Sequence, residues 1–349
     1  MDKKLFVALI ILCVTIVAAI AIYMVSISVK SQEWLCGYKD NVFVVIYKNI
    51  RPHEQVFKGI QSFIAYIIQS NASDALKLEL SLCVVDFEQI PSNLKNQLDD
   101  YTIYPVFVVY SSKLDPQKAR ILDVIFNRDG YTYFPKQDVL TYIYLYLSSR
   151  YGYTYLDAKD IYPNVVTTKK PVVDYNETPI IGSINAKYYL FIYEDVYCSF
   201  CAKMYRETIP KLWNLIENNT IAIVLKNMIT HEEALDVHKN IVSLYLENKD
   251  GLQIFEIMSD IYDMVAQNSI PSLEDVKDLI FRRVGRLPDL DRYGESAEKI
   301  INFETIEAYN LTIFGTPGIV VWNNEEEVGI VIVGFRSYEA VLKALELIS

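Results

Sequence analysis

Cys198 and Cys201 stand two residues apart in YEDVYCSFCAKMY (residues 193–205), in a chain of 349 residues with 5 cysteines. Such a pair can serve thiol–disulfide exchange, half of a metal site, or a structural cross-link. The residues before it, KYYLFIYED (Lys187–Asp195), form an apolar and aromatic run that reads as a strand. Those after it, Cys201–Asn218, place Met204, Ile209, Leu212 and Leu215 at helical spacing, with Pro210 as a kink. A strand that runs through a Cys-x-x-Cys into a helix sets Cys198 at a helix N-terminus. There the unpaired N–H groups and the macrodipole favour negative charge, which lowers the thiol pKa and makes Cys198 the nucleophile. Cys201, about one turn inside the helix, is more shielded and resolves the mixed disulfide.

The rival chemistries fit less well. A zinc site wants four ligands, and neither a second Cys-x-x-Cys nor a closely paired histidine motif lies near. His231 and His238 could share a helix face. A structural disulfide across two residues is uncommon and strained. Far along the chain, FGTPGIVVWN (Phe314–Asn323) places Thr316-Pro317 directly before a strand. X-Pro bonds at such turns can be cis. If that loop faces the cysteines, the Thr316 backbone can pair with an extended client peptide. Pro317, without an N–H or a basic side chain, would keep metal ligands off the thiols.

From about Pro179 to Ser349 the chain resembles the DsbA-like branch of the thioredoxin superfamily. The segments IIGSINAKYYLFIYEDVYCSFCAKM, GTPGIVV and GF…SYEAVLKALELI carry that resemblance. It implies an α/β thioredoxin order interrupted by a helical insertion, with Cys198 and Cys201 as the redox pair and Pro317 as the cis-proline. Asp195, three residues before the nucleophile, matches an acidic position common in such sequences, and either tunes the pair or ends the strand. The dipeptide Ser199-Phe200 departs from the family pattern, in which Pro often follows the first cysteine and the strong oxidant has a histidine before the second. Ser199, Phe200 and Asp195 are therefore expected to set the potential, and the direction of electron flow stays open.

Two stretches repeat one order of elements. Residues 31–160 give a strand (Asn41–Lys48), a helix (His53–Ser70), strands at Leu76–Phe87 and Ile103–Tyr110, a β-type segment near Ile121–Phe126 and a helix (Gln137–Tyr151). A polar, Pro-containing linker is expected over 161–179. Residues 180–349 give strand, helix and strand, then a helical insertion over about 230–312, then strand, strand and helix. The first stretch resembles a degenerate thioredoxin fold. Asn49-Ile50-Arg51-Pro52-His53 stands where a Cys-x-x-Cys would, and Tyr104-Pro105 resembles the cis-proline. In the protein disulfide isomerase group an inactive copy of this kind binds clients or shapes the chain; a plain spacer is the alternative.

Leu5–Val29 carries no charged residue and exceeds the about 20 apolar residues that span a bilayer. Lys3 and Lys4 precede it, so the positive-inside rule puts residues 1–30 as an anchor with the main body outside the cytoplasm. A cleaved signal peptide ending at Ala19-Ile20-Ala21 is the alternative, and it too exports the chain. Cys13 lies in this run, which leaves Cys36 and Cys83 besides the central pair. They are expected to form a structural disulfide, with buried free thiols as the alternative.

The net charge of −11 without a basic block argues against nucleic acid. The 27 tyrosines read as packing, and no phosphate-binding glycine loop or Ser-His-Asp arrangement is present. Neither metal nor cofactor is expected. The sequence thus points to a membrane-anchored extracytoplasmic oxidoreductase. Its partners would be cysteine-containing exported clients and a membrane redox partner that recycles the pair. The rivals are a reductase or isomerase fed electrons across the membrane, and a non-catalytic binding or scaffold protein with a structural Cys-x-x-Cys.

Overall fold

The computed structural model describes residues 35–48, 69–70, 72–74, 76–114, 126–143, 165–267 and 269–349. The expected membrane span (5–29), most of the expected helix at 53–70, and residues 49–53 lie outside that set. Among the described residues no helix is long and apolar enough to cross a membrane.

The first part of the chain contributes β1 (Val42–Tyr47), β2 (Ser81–Asp86), α1 (Ser92–Leu98), β3 (Ile103–Tyr104), β4 (Val106–Tyr110), β5 (Phe126–Asp129) and β6 (Thr132–Pro135). The second contributes β7 (Val165–Thr167), β8 (Ile180–Ile181), β9 (Tyr188–Glu194), α2 (Ser199–Glu207), α3 (Ile209–Glu217) and β10 (Ile221–Asn227). Four helices follow: α4 (Leu235–Asn248), α5 (Gly251–Ala266), α6 (Leu273–Val284) and α7 (Leu290–Asn310). The chain closes with β11 (Gly318–Asn323), β12 (Val328–Val333) and α8 (Tyr338–Leu347).

Two sheets result, with orders β2-β1-β4-β6-β5 and β3-β7-β12-β11-β9-β10-β8. Each contains the same four-strand pattern. The first two strands run parallel (β1 with β2, β9 with β10), the third (β4, β11) pairs antiparallel with the first, and the fourth (β6, β12) pairs antiparallel with the third. The strands β1, β9, β10 and β11 are buried along their whole length, as continuous apolar runs require when both faces are covered. One continuous core joins residues of both sheets.

Four details differ from the sequence expectation. β2 begins at Ser81, not Leu76, because the chain is helical through Leu76 and turns at Lys77, whose φ is +55°. The strand expected over Ile103–Tyr110 breaks at Pro105, which cannot donate to a ladder. Its first two residues pair with β7, and the rest pair with β1. The expected linker, 161–179, itself supplies β7, which pairs between β12 and the edge strand β3. An extra strand, β6, forms a hairpin with β5 across Gly130-Tyr131, where Gly130 takes a φ of +59°.

Cys36 and Cys83 form a disulfide that closes a 47-residue separation. The chain-entropy estimate for a loop of that length is about 4 kcal/mol. The paired Cys36→Ser, Cys83→Ser variant is therefore expected to lower the unfolding free energy of the first sheet by about 4 kcal/mol, read by denaturant titration. A change below about 1 kcal/mol would show that the bridge adds nothing.

The helical insertion is fastened to the second sheet by a buried ionic cluster. Lys226 on β10 lies 3.0 Å from Glu304 and 3.3 Å from Glu307 on α7. The Asn227 backbone N–H donates to Glu304 (2.9 Å), and the Tyr193 hydroxyl donates to Glu307 (2.7 Å). Removing one partner of such a pair strands a buried charge, at about 3–5 kcal/mol.

Candidate active site at the end of β9

The central position of β9 fixes where the cysteines emerge. It pairs parallel with β10 and antiparallel with β11, and its register sets Tyr193 opposite Gly318. The turn after β9 closes when the Cys198 N–H donates to the Asp195 carbonyl at 3.0 Å. Cys198 is then the N-cap of α2, in extended conformation, and its sulfur accepts from the Cys201 backbone N–H at 3.3 Å. A helix of this register buries Cys201, Ala202, Met204 and Tyr205 and leaves Ser199, Phe200 and Lys203 outside. Pro210 falls in the first turn of α3, where its missing N–H is harmless, so the helix breaks at Thr208.

Thr316-Pro317 is a cis peptide and reaches Cys198 from across the sheet. The Cys198 thiol donates to the Thr316 carbonyl at 3.2 Å. The Pro317 carbonyl accepts from the Gly334 N–H at 2.8 Å, which ties this loop to the end of β12. Gly318 is required for that approach: a Cβ there would sit 2.2 Å from Ile313 Cγ2. The fold therefore brings Cys198, Cys201, Thr316 and Pro317 together.

Both cysteines are free thiols, yet their environments push them apart. Cys198 is drawn down to about 6. The Cys201 thiol donating to it is the largest cause; burial opposes, and hydrogen bonds from Thr316 and from the N–H groups of Cys201 and Phe200 add to the fall. Cys201, 1% exposed, is pushed well up by burial, by the neighbouring Cys198 and by Glu194. One thiol is thus an anion near neutrality and the other stays protonated.

Glu194 is the residue that the sequence reading missed. It ends β9, is 2% exposed, and is raised to about 8 chiefly by burial. Its Oε1 accepts from the Tyr205 hydroxyl at 3.1 Å, while Oε2 is buried with no hydrogen-bond partner. A cavity of about 20 Å³, large enough for one water, is lined by Glu194, Lys226, Asn227 and Glu177 among others. The available signal was the unbroken apolar and aromatic run of β9, buried on both faces, which Glu194 continues by one residue.

The expected tuning residues behave differently from one another. Asp195 is fully buried, and its carboxylate accepts from the N–H groups of Tyr197 (2.9 Å), Thr230 (2.7 Å) and His231 (2.9 Å). Burial works against its charge, but His238 and these N–H groups outweigh it and hold the carboxyl below the usual range. It ties the loop after β10 to the end of β9. Phe200 reaches Cys198 through its backbone N–H, while its ring is 52% exposed. His238 is held near 4 by burial, and both its nitrogens are engaged, with the Val196 N–H (3.0 Å) and with Asn227 Oδ1 (2.7 Å). Among the described residues no group of three or more His, Cys, Asp or Glu side chains could hold a metal ion.

Residues 174–329, which include this site, match the thioredoxin family. Solved structures similar to the chain include the catalytic domain of Proteus mirabilis ScsC (17% identity, TM-score 0.39, covering 59% of this chain and 99% of that one). BdbD from Bacillus subtilis in its oxidised form gives 15% identity and a TM-score of 0.41, with coverage of 50% and 96%. The thiol-disulfide exchange protein alpha-DsbA2 from Wolbachia pipientis gives 16% and 0.39, with coverage of 60% and 98%. No curated protein sequence matches the chain. The pairing of β9 with β11 and the start of α2 at Cys198 account for the position of both thiols and the Thr316-Pro317 loop around one point of the sheet.

The split between the thiols predicts a reactivity profile. Alkylation of Cys198 by iodoacetamide is expected to rise through about pH 6 and level off above it, since the thiolate is the reacting form. Cys201 is expected to stay unreactive over that range. A Cys198 midpoint near the ordinary thiol value of about 8.5 would contradict the geometry.

Proposed function

We propose that the protein is a thiol–disulfide oxidoreductase acting on cysteine-containing exported proteins. The observation that carries this reading is a free Cys198 at the N-cap of α2, against Thr316, with a buried Cys201 one turn behind it. Reduction of a client disulfide proceeds in two exchanges. The Cys198 thiolate attacks one client sulfur; the client S–S bond breaks, a client thiolate leaves, and a Cys198–client disulfide forms. Cys201 then gives its proton to Glu194 and attacks Cys198, which forms the Cys198–Cys201 disulfide and expels the second client thiolate. Client oxidation is the reverse sequence, and the two electrons pass to the Cys198–Cys201 disulfide. Glu194, near about 8, is matched to this transfer because an efficient base has a pKa near the working pH.

The chain supplies its own pattern for client docking. Ile103 and Tyr104, the residues before Pro105, pair antiparallel with β7. A client strand is proposed to pair with Thr316, before Pro317, in the same manner. In the first part of the chain the residues before Pro105 are already taken up by β7 of the second sheet, so that part shapes the chain and does not take clients there.

A thiolate stabilised at neutral pH favours the reduced pair, which makes its disulfide the more oxidising. We therefore favour client oxidation, with a membrane partner that withdraws the electrons. The Cys36–Cys83 bridge and the apolar run Leu5–Val29 support an extracytoplasmic site anchored by the N-terminal segment. The test is the reduction potential of the purified protein. A value near about −120 mV supports an oxidant, and one near about −270 mV a reductase.

A further inference from the structure

The two oxygens of Glu194 are not equivalent. Oε1 takes the Tyr205 hydroxyl, and Oε2 is buried and unpartnered. Tyr205 lies four residues after Cys201 on α2, so the two side chains share one helix face. Its ring packs against Tyr262 at 4.5 Å and stacks on Phe255 at 5.2 Å, both from α5. Packed in this way, the phenol has little freedom to follow the other carboxylate oxygen. The Tyr262 hydroxyl donates to the Asp195 carbonyl at 3.2 Å and, beside Glu194, also helps to lower the carboxyl pKa.

We infer that Tyr205 is a positioning residue for the resolving step: by occupying Oε1 it reserves Oε2 of Glu194 for the Cys201 proton. This rests on the oxidoreductase reading above. In that step the proton moves from Cys201 Sγ to Oε2, the Cys201–Cys198 bond forms, and the Cys198–client bond breaks with its electron pair on the client sulfur. Tyr205 keeps its own proton throughout. A donor to the carboxylate also favours the ionised form that can accept that proton. The other titratable groups facing Glu194 are Cys198 and Cys201 of α2, Asp195 beyond β9, Tyr262 of α5, and Lys226 and Glu177 across the small cavity.

The test uses a peptide carrying an activated disulfide, which caps Cys198 rapidly; release of the peptide thiol then reports resolution from pH 5 to 9. Tyr205→Phe is expected to leave capping unchanged. It should slow release at pH 7 about tenfold and move the midpoint of the pH–rate profile up by about one unit. In a Glu194→Gln background the same change should have no further effect. Val341→Ala, a buried change on α8 that leaves the packing of Tyr205 intact, should lower thermal stability and leave the profile in place. An unmoved midpoint in Tyr205→Phe overturns the inference. So does a further tenfold loss beyond Glu194→Gln, or a Val341→Ala profile shifted like that of Tyr205→Phe. Failure of Cys198 to be capped at all defeats the oxidoreductase reading, and the inference with it.

Discussion

Cys201→Ser is expected to hold Cys198 in a mixed disulfide with any client it attacks, visible as a persistent adduct on a non-reducing gel. Wild type should release the same client within a turnover, and Cys198→Ser should form no adduct. The effect is large because the resolving thiol is already in place: α2 buries Cys201 with its N–H on the Cys198 sulfur. Oriented intramolecular groups reach effective molarities of about 10⁵ M or more, far above any millimolar external thiol that could replace Cys201. The serine variant keeps the volume and the helix, so the packing around α2 gives no other reason for an adduct to persist. If Cys201→Ser releases clients as fast as wild type, Cys201 is not the resolving residue.

Glu194→Gln is the second large effect. The amide keeps the shape and a hydrogen bond from Tyr205 but cannot take a proton, so resolution is expected to slow by about 10² or more. The sign of the pH dependence follows from the raised value. Glu194 is protonated below about 8, so its base form grows, and wild-type resolution speeds up, as pH rises through that value. The variant should lack this rise. Stability moves the other way. Between the ordinary value of 4.5 and about 8 the folded state holds a proton that the unfolded state has released. Folding therefore weakens as pH climbs across that window, and Glu194→Gln should remove the slope. A variant that resolves at the wild-type rate with an unchanged pH profile would remove Glu194 from the mechanism.

The residues that carry chemistry were easier to read than those that support it. Cys198 and Cys201 were legible because a strand, a Cys-x-x-Cys and a helical period follow one another without a gap, and local sequence decides an N-cap. Thr316-Pro317 was legible because proline before a buried strand has few other uses. Glu194 was not, since a carboxylate at a strand end ordinarily faces water; only the packing of α2 and α5 over β9 buries it. The role of Asp195 depends on Thr230 and His231, which the parallel pairing of β9 with β10 brings to it. The three residues of β7 gave too short a period to stand out among polar neighbours, and pairing with β12 and β3 makes them a strand. By contrast, the β5–β6 hairpin was marked by Gly130 and could have been found.

The most direct test of the central claim is a glutathione redox titration of the purified protein, quenched with acid and scored by the number of thiols alkylated at Cys198 and Cys201. One reversible two-electron transition is expected, in which both sites change together, lost in Cys198→Ser and insensitive to replacement of Cys36 and Cys83. A pair that stays wholly reduced or wholly oxidised across the titration, or two sites that titrate independently, would contradict it.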